Sequence, residues 1–167
     1  MENKRTETNK TVQKRLEPEL KLINMDTVEV EQIEWLLYPF IPYGKVTIIQ
    51  GDPGEGKTTL VLMLAAALSK GLPLPCDDDK AYEPIHIIYQ TAEDGIDDTV
   101  KPRLERAGAD CSMIRVIDET EKELCMTDDR LEKAIVETGA RLIILDPIQA
   151  YIGAKVDMHR ANEIRPV

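Results

Sequence analysis

The sequence predicts an α/β fold built on a parallel sheet. Three observations carry that prediction. Short, continuous apolar runs occur at residues 45–50, 85–90 and 141–146. Helix-favouring stretches separate them, and a glycine-rich loop joins the first run to the first such stretch. Runs that are apolar throughout, rather than alternating, suit strands covered on both faces, as parallel strands are.

The elements follow in order. Residues 1–22 are polar and charge-rich and read as a flexible arm, with residues 23–167 as the domain. Leu20, Leu22 and Ile23, then Thr27-Val28-Glu29-Val30, suggest short extended pieces. Residues 35–42 hold the only Trp and the only Phe, and Pro39 and Pro42 exclude a helix interior. This segment is expected to cover the core; the alternative is an edge that stacks on a base or on a neighbouring subunit. Tyr43-Gly44 is a turn, and 45–50 is the first buried strand. Residues 57–70 lack Gly and Pro, are rich in Leu, Ala and Met, and predict a helix that Gly71 and Pro73 end. Residues 75–84 are acidic and loop-like. Residues 85–90 form a second buried strand, broken by Thr91-Ala92-Glu93-Asp94-Gly95. Asp97 or Asp98 caps a helix running to about residue 107, with Pro102 early in it. Residues 113–117 are a third short strand. Thr127 is a natural N-cap for a helix that Gly139 stops, and 141–146 is the clearest buried strand. There is no internal repeat.

Composition bounds the function. A chain of 167 residues suits one domain. With 43% hydrophobic and 31% charged residues it resembles neither a disordered nor a membrane protein. The longest apolar stretch, residues 60–68, is about half a membrane span. The polar start Met1-Glu2-Asn3-Lys4-Arg5 is not a signal peptide, so a cytoplasmic location is expected. Cys76, Cys111 and Cys125 show no metal-ligand spacing and read as reduced thiols. A net charge of −10 argues against a stand-alone nucleic-acid binder, so any such contact must come from a local patch, from a missing segment, or from assembly into a ring.

The chemistry lies in Gly51-Asp52-Pro53-Gly54-Glu55-Gly56-Lys57-Thr58, which fits the P-loop pattern GxxxxGK[ST] in full. Its glycines let backbone N–H groups turn inward around phosphate oxygens. The helix that begins near Lys57, with Thr59 in its first turn, offers free N–H groups and a positive dipole end to the same charge. Lys57 is expected to reach the β- and γ-phosphates, and Thr58 to hold Mg²⁺. A second metal group is expected at Asp146, which closes the apolar run 142–145 as a Walker B aspartate does; the plain alternative is a turn aspartate before Pro147. Hydrolysis also needs a group that orients water. The slot after Asp146 is Pro147, so that group must come from elsewhere. Glu93, just past the second strand, is the best candidate, and Asp94 is its neighbour. His86, Gln149, His159, Arg160 and Arg165 read as structural or solvated residues.

The ordered set resembles a known family. It comprises a Trp-Leu segment, Ile41-Pro42-Tyr43-Gly44-Lys45, the P-loop, Gln90-Thr91-Ala92-Glu93-Asp94 and Leu145-Asp146-Pro147. Together these are similar to RecA-like ATPases, with the RepA-type hexameric replicative helicases of plasmids and phages as the nearest branch. The segment from Asp157 to Arg165 is also similar to theirs. The resemblance implies ATP as the nucleotide, Glu93 as the catalytic glutamate, Asp146 as the Walker B residue, and a ring of subunits with each site at an interface. It also implies a further strand inserted between the P-loop strand and the Walker B strand. The sequence ends at Val167 before such a strand, so a truncated chain is expected, with a gap in the sheet or with those two strands forced together.

Three functions follow from these readings. The first is a motor-type ATPase core of a DNA helicase or recombination protein, with single-stranded DNA as partner. The second is a nucleotide-binding switch without appreciable turnover. The third is a P-loop kinase, against which stands the absence of an arginine-rich lid.

Overall fold

The structure, a computed structural model, describes residues 20–74 and 82–152. The chain divides into two compact units between Glu34 and Trp35. In the first, Met25–Thr27 form one 3-10 turn, tied by the Thr27 N–H and hydroxyl, which both donate to the Asn24 carbonyl. Leu20, Leu22 and Ile23 are exposed, and the extended pieces expected here form no strand.

The second unit opens with a hairpin, β1 (Trp35–Leu37) antiparallel to β2 (Ile41–Pro42). Leu36 and Leu37 are buried while Tyr38 and Phe40 in the turn are exposed. The segment therefore covers the core, as its prolines and apolar residues suggest.

The central sheet is parallel and three-stranded, in the order β4 (Ile114–Arg115), β3 (Ile87–Thr91), β5 (Leu142–Asp146). β3 lies in the middle, and Ile87, Ile88 and Tyr89 are wholly inaccessible. Helix α1 (Lys57–Ser69) supplies Leu62, Leu64, Ala65 and Leu68 to the same core as Ile87 and Tyr89. A run of strong helix formers explains its length. Gly71 follows it with φ 67, and a Cβ there would collide with the Tyr82 carbonyl, so only glycine suits this stop.

Residues 45–50 depart from expectation. They form no strand, and Val46 and Ile48 are 72% and 68% exposed. The physical reason is the lack of a partner, since a strand's backbone groups need a neighbour. β5 pairs with β3 on one side, and no described strand lies along its other edge. Contacts with the ends of β5 come from residues on either side of the run, Tyr43 before it and Thr58 in the first turn of α1 after it. The Arg141 guanidinium sits 4.5 Å over the Tyr43 ring, and the Thr58 hydroxyl bonds Asp146. Among the described residues, 45–50 and β5 do not pair as strands.

Three smaller differences also have local causes. The helix expected from Asp97 or Asp98 starts as a π-helical turn, Ile96–Val100, before α2 (Lys101–Arg106). Helix α3 (Asp129–Thr138) is capped by Asp128 rather than Thr127; the Asp128 carboxylate accepts the Arg130 N–H at 3.0 Å. Hydrogen bonds from Arg130, then from Lys122, hold the Asp128 carboxyl well below its usual range. Gly139, with φ 67, stops the helix as expected.

The third strand, expected over 113–117, is confined to β4 because a side chain replaces the ladder beyond it. The Gln90 carboxamide accepts the Ile117 N–H at 2.6 Å and donates to the Ile117 carbonyl at 3.3 Å. It also donates to Glu119 at 2.6 Å, whose other oxygen accepts the Leu124 N–H at 2.9 Å. Gln90 is 1% exposed, so this amide does for the loop what a backbone pair would do. Gln90→Leu strands these groups and should cost about 2 kcal/mol of stability, read by urea unfolding. A loss below about 0.5 kcal/mol would contradict this role for Gln90.

Among the described residues no helix is long and apolar enough to cross a membrane. Cys76, the Asp157 to Arg165 segment and most of the N-terminal arm lie outside the described residues.

Candidate functional site

The loop before α1 is shaped by its glycines. Gly54 and Gly56 both have φ 85, in the left-handed region that strains other residues. Gly56 occupies the N-cap position of α1. Beside Gly51 lies the Glu55 carboxylate, the far end of a flexible and exposed side chain. That carboxylate accepts the Asp52 N–H at 2.8 Å and closes the loop on itself. Asp52, Pro53, Gly54, Glu55 and Gly56 are all exposed. The Lys57 ammonium lies across the loop, donating to the Gly51 carbonyl at 2.8 Å and the Asp52 carbonyl at 2.7 Å. The N–H groups of Lys57, Thr58 and Thr59 open the helix, where no intrahelical carbonyl can accept them. A flexible cation, free N–H groups and a positive helix end thus converge on one exposed loop, an arrangement suited to phosphate.

The sheet brings the second group to this loop. Asp146 ends β5, and its Oδ2 accepts the Thr58 hydroxyl at 2.8 Å. The same oxygen accepts the Tyr89 hydroxyl at 3.2 Å. Burial, and next the Asp146 carboxylate, push the Tyr89 phenol well above its ordinary range, so it stays protonated and donates. A hydroxyl and a carboxylate side by side are hard oxygen donors that fit Mg²⁺, which takes few protein ligands beside water and phosphate. Among the described residues, no cluster of His, Cys, Asp and Glu offers another metal site.

Glu93 stands at the same end of the sheet. Thr91 registers with Asp146, and the Ala92 N–H donates to the Asp146 carbonyl at 3.2 Å. The Thr91 hydroxyl oxygen accepts the Asp94 N–H at 3.1 Å, which turns the chain after β3 and leaves Glu93 exposed. The Asp94 carboxylate lies 3.7 Å from the Arg103 guanidinium, so the two neighbouring acids differ in surroundings. His86 lies at the opposite end, where its carbonyl accepts the Arg141 N–H at 3.0 Å. Gln149 is exposed in the 3-10 turn Ile148–Tyr151 after β5.

The structure thus gathers Lys57, Thr58 and Asp146, with Glu93 on the same rim. No role was legible in the sequence for Tyr89, which reads as a member of a buried strand, or for the Gln90 side chain, which opens the motif Gln90 to Asp94. Their signal was a polar group at the end of the mostly aliphatic run 85–90.

Comparison with known proteins adds an independent line. The AAA domain family matches residues 12–167. The chain is 33% identical over 106 residues to the DNA repair protein RadA of Halalkalibacterium halodurans, covering 64% of this chain and 19% of that protein. It is 29% identical over 106 residues to the DNA repair protein RadA of Bacillus subtilis, with the same coverage of 64% and 19%. The matched region therefore spans about a fifth of the length of these relatives. No solved structure matches the chain.

Proposed function

The chain belongs to the AAA domain family, and from that premise we propose that it binds ATP with Mg²⁺ and hydrolyses the γ-phosphate as the motor core of a DNA-processing protein. The observation that carries the reading is the 2.8 Å bond from Thr58 to Asp146. It joins the phosphate loop to the end of the apolar strand β5, as a P-loop site for a metal-bound nucleotide requires.

In this reading each residue has one task. The backbone of residues 51–56 and the first turn of α1 cradle the phosphates. Lys57 exchanges its loop carbonyls for β- and γ-phosphate oxygens. Thr58 and Asp146 would hold Mg²⁺, which neutralises charge on those oxygens when bound. Glu93 orients the attacking water and accepts its proton. Names of the matched relatives support a role in DNA repair; the RepA-type resemblance supports a replicative helicase. Single-stranded DNA is the partner that the helicase reading suggests. With a net charge of −10 the isolated chain suits DNA poorly; the RepA-type resemblance supports assembly into a ring, hexameric in the full-length protein. A cytoplasmic location accords with this.

The unpaired run 45–50 favours a second reading, a nucleotide-binding switch, because the segment leading into the loop lacks a ladder to fix it. Phosphate release separates the two. A motor core releases phosphate from ATP with Mg²⁺, and single-stranded DNA accelerates it. Saturable binding without release supports the switch. Phosphoryl transfer to an added nucleoside or sugar would overturn both in favour of a kinase.

A further inference from the structure

We propose that Tyr89 is a positioning residue for the metal-holding carboxylate: its buried hydroxyl fixes the orientation of Asp146. The inference rests on the reading of Asp146 given above. Tyr89 is wholly inaccessible in the central strand β3, and its hydroxyl donates to Asp146 Oδ2 at 3.2 Å.

The geometry explains why a tyrosine is needed. Tyr89 registers with Ile144, and Asp146 lies two residues further along β5, so both side chains project from the same face. The hydroxyl must therefore reach diagonally, across one strand spacing and along two residues. A long, stiff ring does this at a small entropy cost; an aliphatic side chain of the neighbouring Ile87 or Ile88 type ends well short of it.

The hydrogen-bond pattern explains what the contact does. Thr58 and Tyr89 both donate to Oδ2, and among the described residues nothing donates to Oδ1. Two donors on one oxygen fix the rotation of the carboxylate and leave the other oxygen available. Thr58 sits in the first turn of α1, directly after the exposed loop, and is only half-buried, whereas Tyr89 sits in the most buried strand of the sheet. Tyr89 is thus the fixed member of the pair. Partners of this kind, one bond removed from a metal, set the ligand's orientation and commonly change metal affinity by about 10- to 100-fold when removed.

Tyr89→Phe tests the idea, since it removes one oxygen and retains the ring. The readout is the Mg²⁺ concentration that half-maximally enhances binding of a fluorescent ATP analogue. It should rise about tenfold in Tyr89→Phe, while analogue affinity in excess chelator stays at the wild-type value. An unchanged Mg²⁺ midpoint overturns the proposal, including when the unfolding temperature falls, because that result assigns the hydroxyl to stability alone. Equal weakening with and without Mg²⁺ overturns it too. Asp146→Asn serves as the control on the underlying reading and should abolish the Mg²⁺ enhancement. If it leaves the enhancement intact, the assignment of Asp146 itself fails, a result distinct from failure at Tyr89.

Discussion

Lys57→Ala should lower ATP affinity at least about 100-fold. In the structure the ammonium makes two bonds to loop carbonyls, at 2.8 Å to Gly51 and 2.7 Å to Asp52. These are neutral acceptors, and phosphate oxygens are better ones. Two hydrogen bonds to charged oxygens contribute about 1.5–3 kcal/mol each, so their loss reaches the 100-fold range. The fold should survive, because Lys57 is only half-buried. Equilibrium titration checks the affinity, and circular dichroism checks the helix. Unchanged affinity would remove Lys57 from the site and with it the phosphate-loop assignment.

Glu93→Gln should separate binding from turnover. The side chain is exposed, just past a turn fixed by the Thr91 hydroxyl, so amidation should disturb neither fold nor nucleotide affinity. It removes the negative charge that draws the proton from the attacking water. General-base catalysis contributes about 10²- to 10⁴-fold, so phosphate release should fall by at least about 100-fold. The assay belongs in a protein whose wild-type turnover is measurable, extended beyond Val167 if needed. Asp94, already beside Arg103, should tolerate the equivalent change to Asn. Full activity in Glu93→Gln, with loss in Asp94→Asn, would move the role to Asp94.

Much of the fold was legible because its signals are local. α1 needs only a run of helix formers and Gly71. β3 and β5 need only their continuous apolar runs, and α3 stops where Gly139 permits a left-handed turn. The loop was legible because its glycines, Lys57 and Thr58 are required by phosphate geometry wherever the loop occurs. The misreadings share a different cause. Residues 45–50 have the composition of a strand, yet a strand is defined by its neighbour, and no composition reports whether that neighbour is present. β4 ends early because Gln90 reaches across to Ile117, a contact of residues 27 apart in sequence. The cap of α3 moved by one residue because Thr127 and Asp128 both suit the position, and only the Arg130 contact decides between them. Tyr89 was hidden for a similar reason. Its ring belongs to the core by every local measure, and only the register between β3 and β5 reveals that its hydroxyl ends at Asp146.

The central claim is that residues 51–59 and Asp146 form one site for a Mg²⁺-bound nucleotide. Calorimetric titration of ATP into the chain, with and without Mg²⁺, tests it most directly. The account predicts saturable binding at one site per chain, strengthened by Mg²⁺ and displaced by ADP. Absence of saturable binding, or binding indifferent to Mg²⁺, would contradict it.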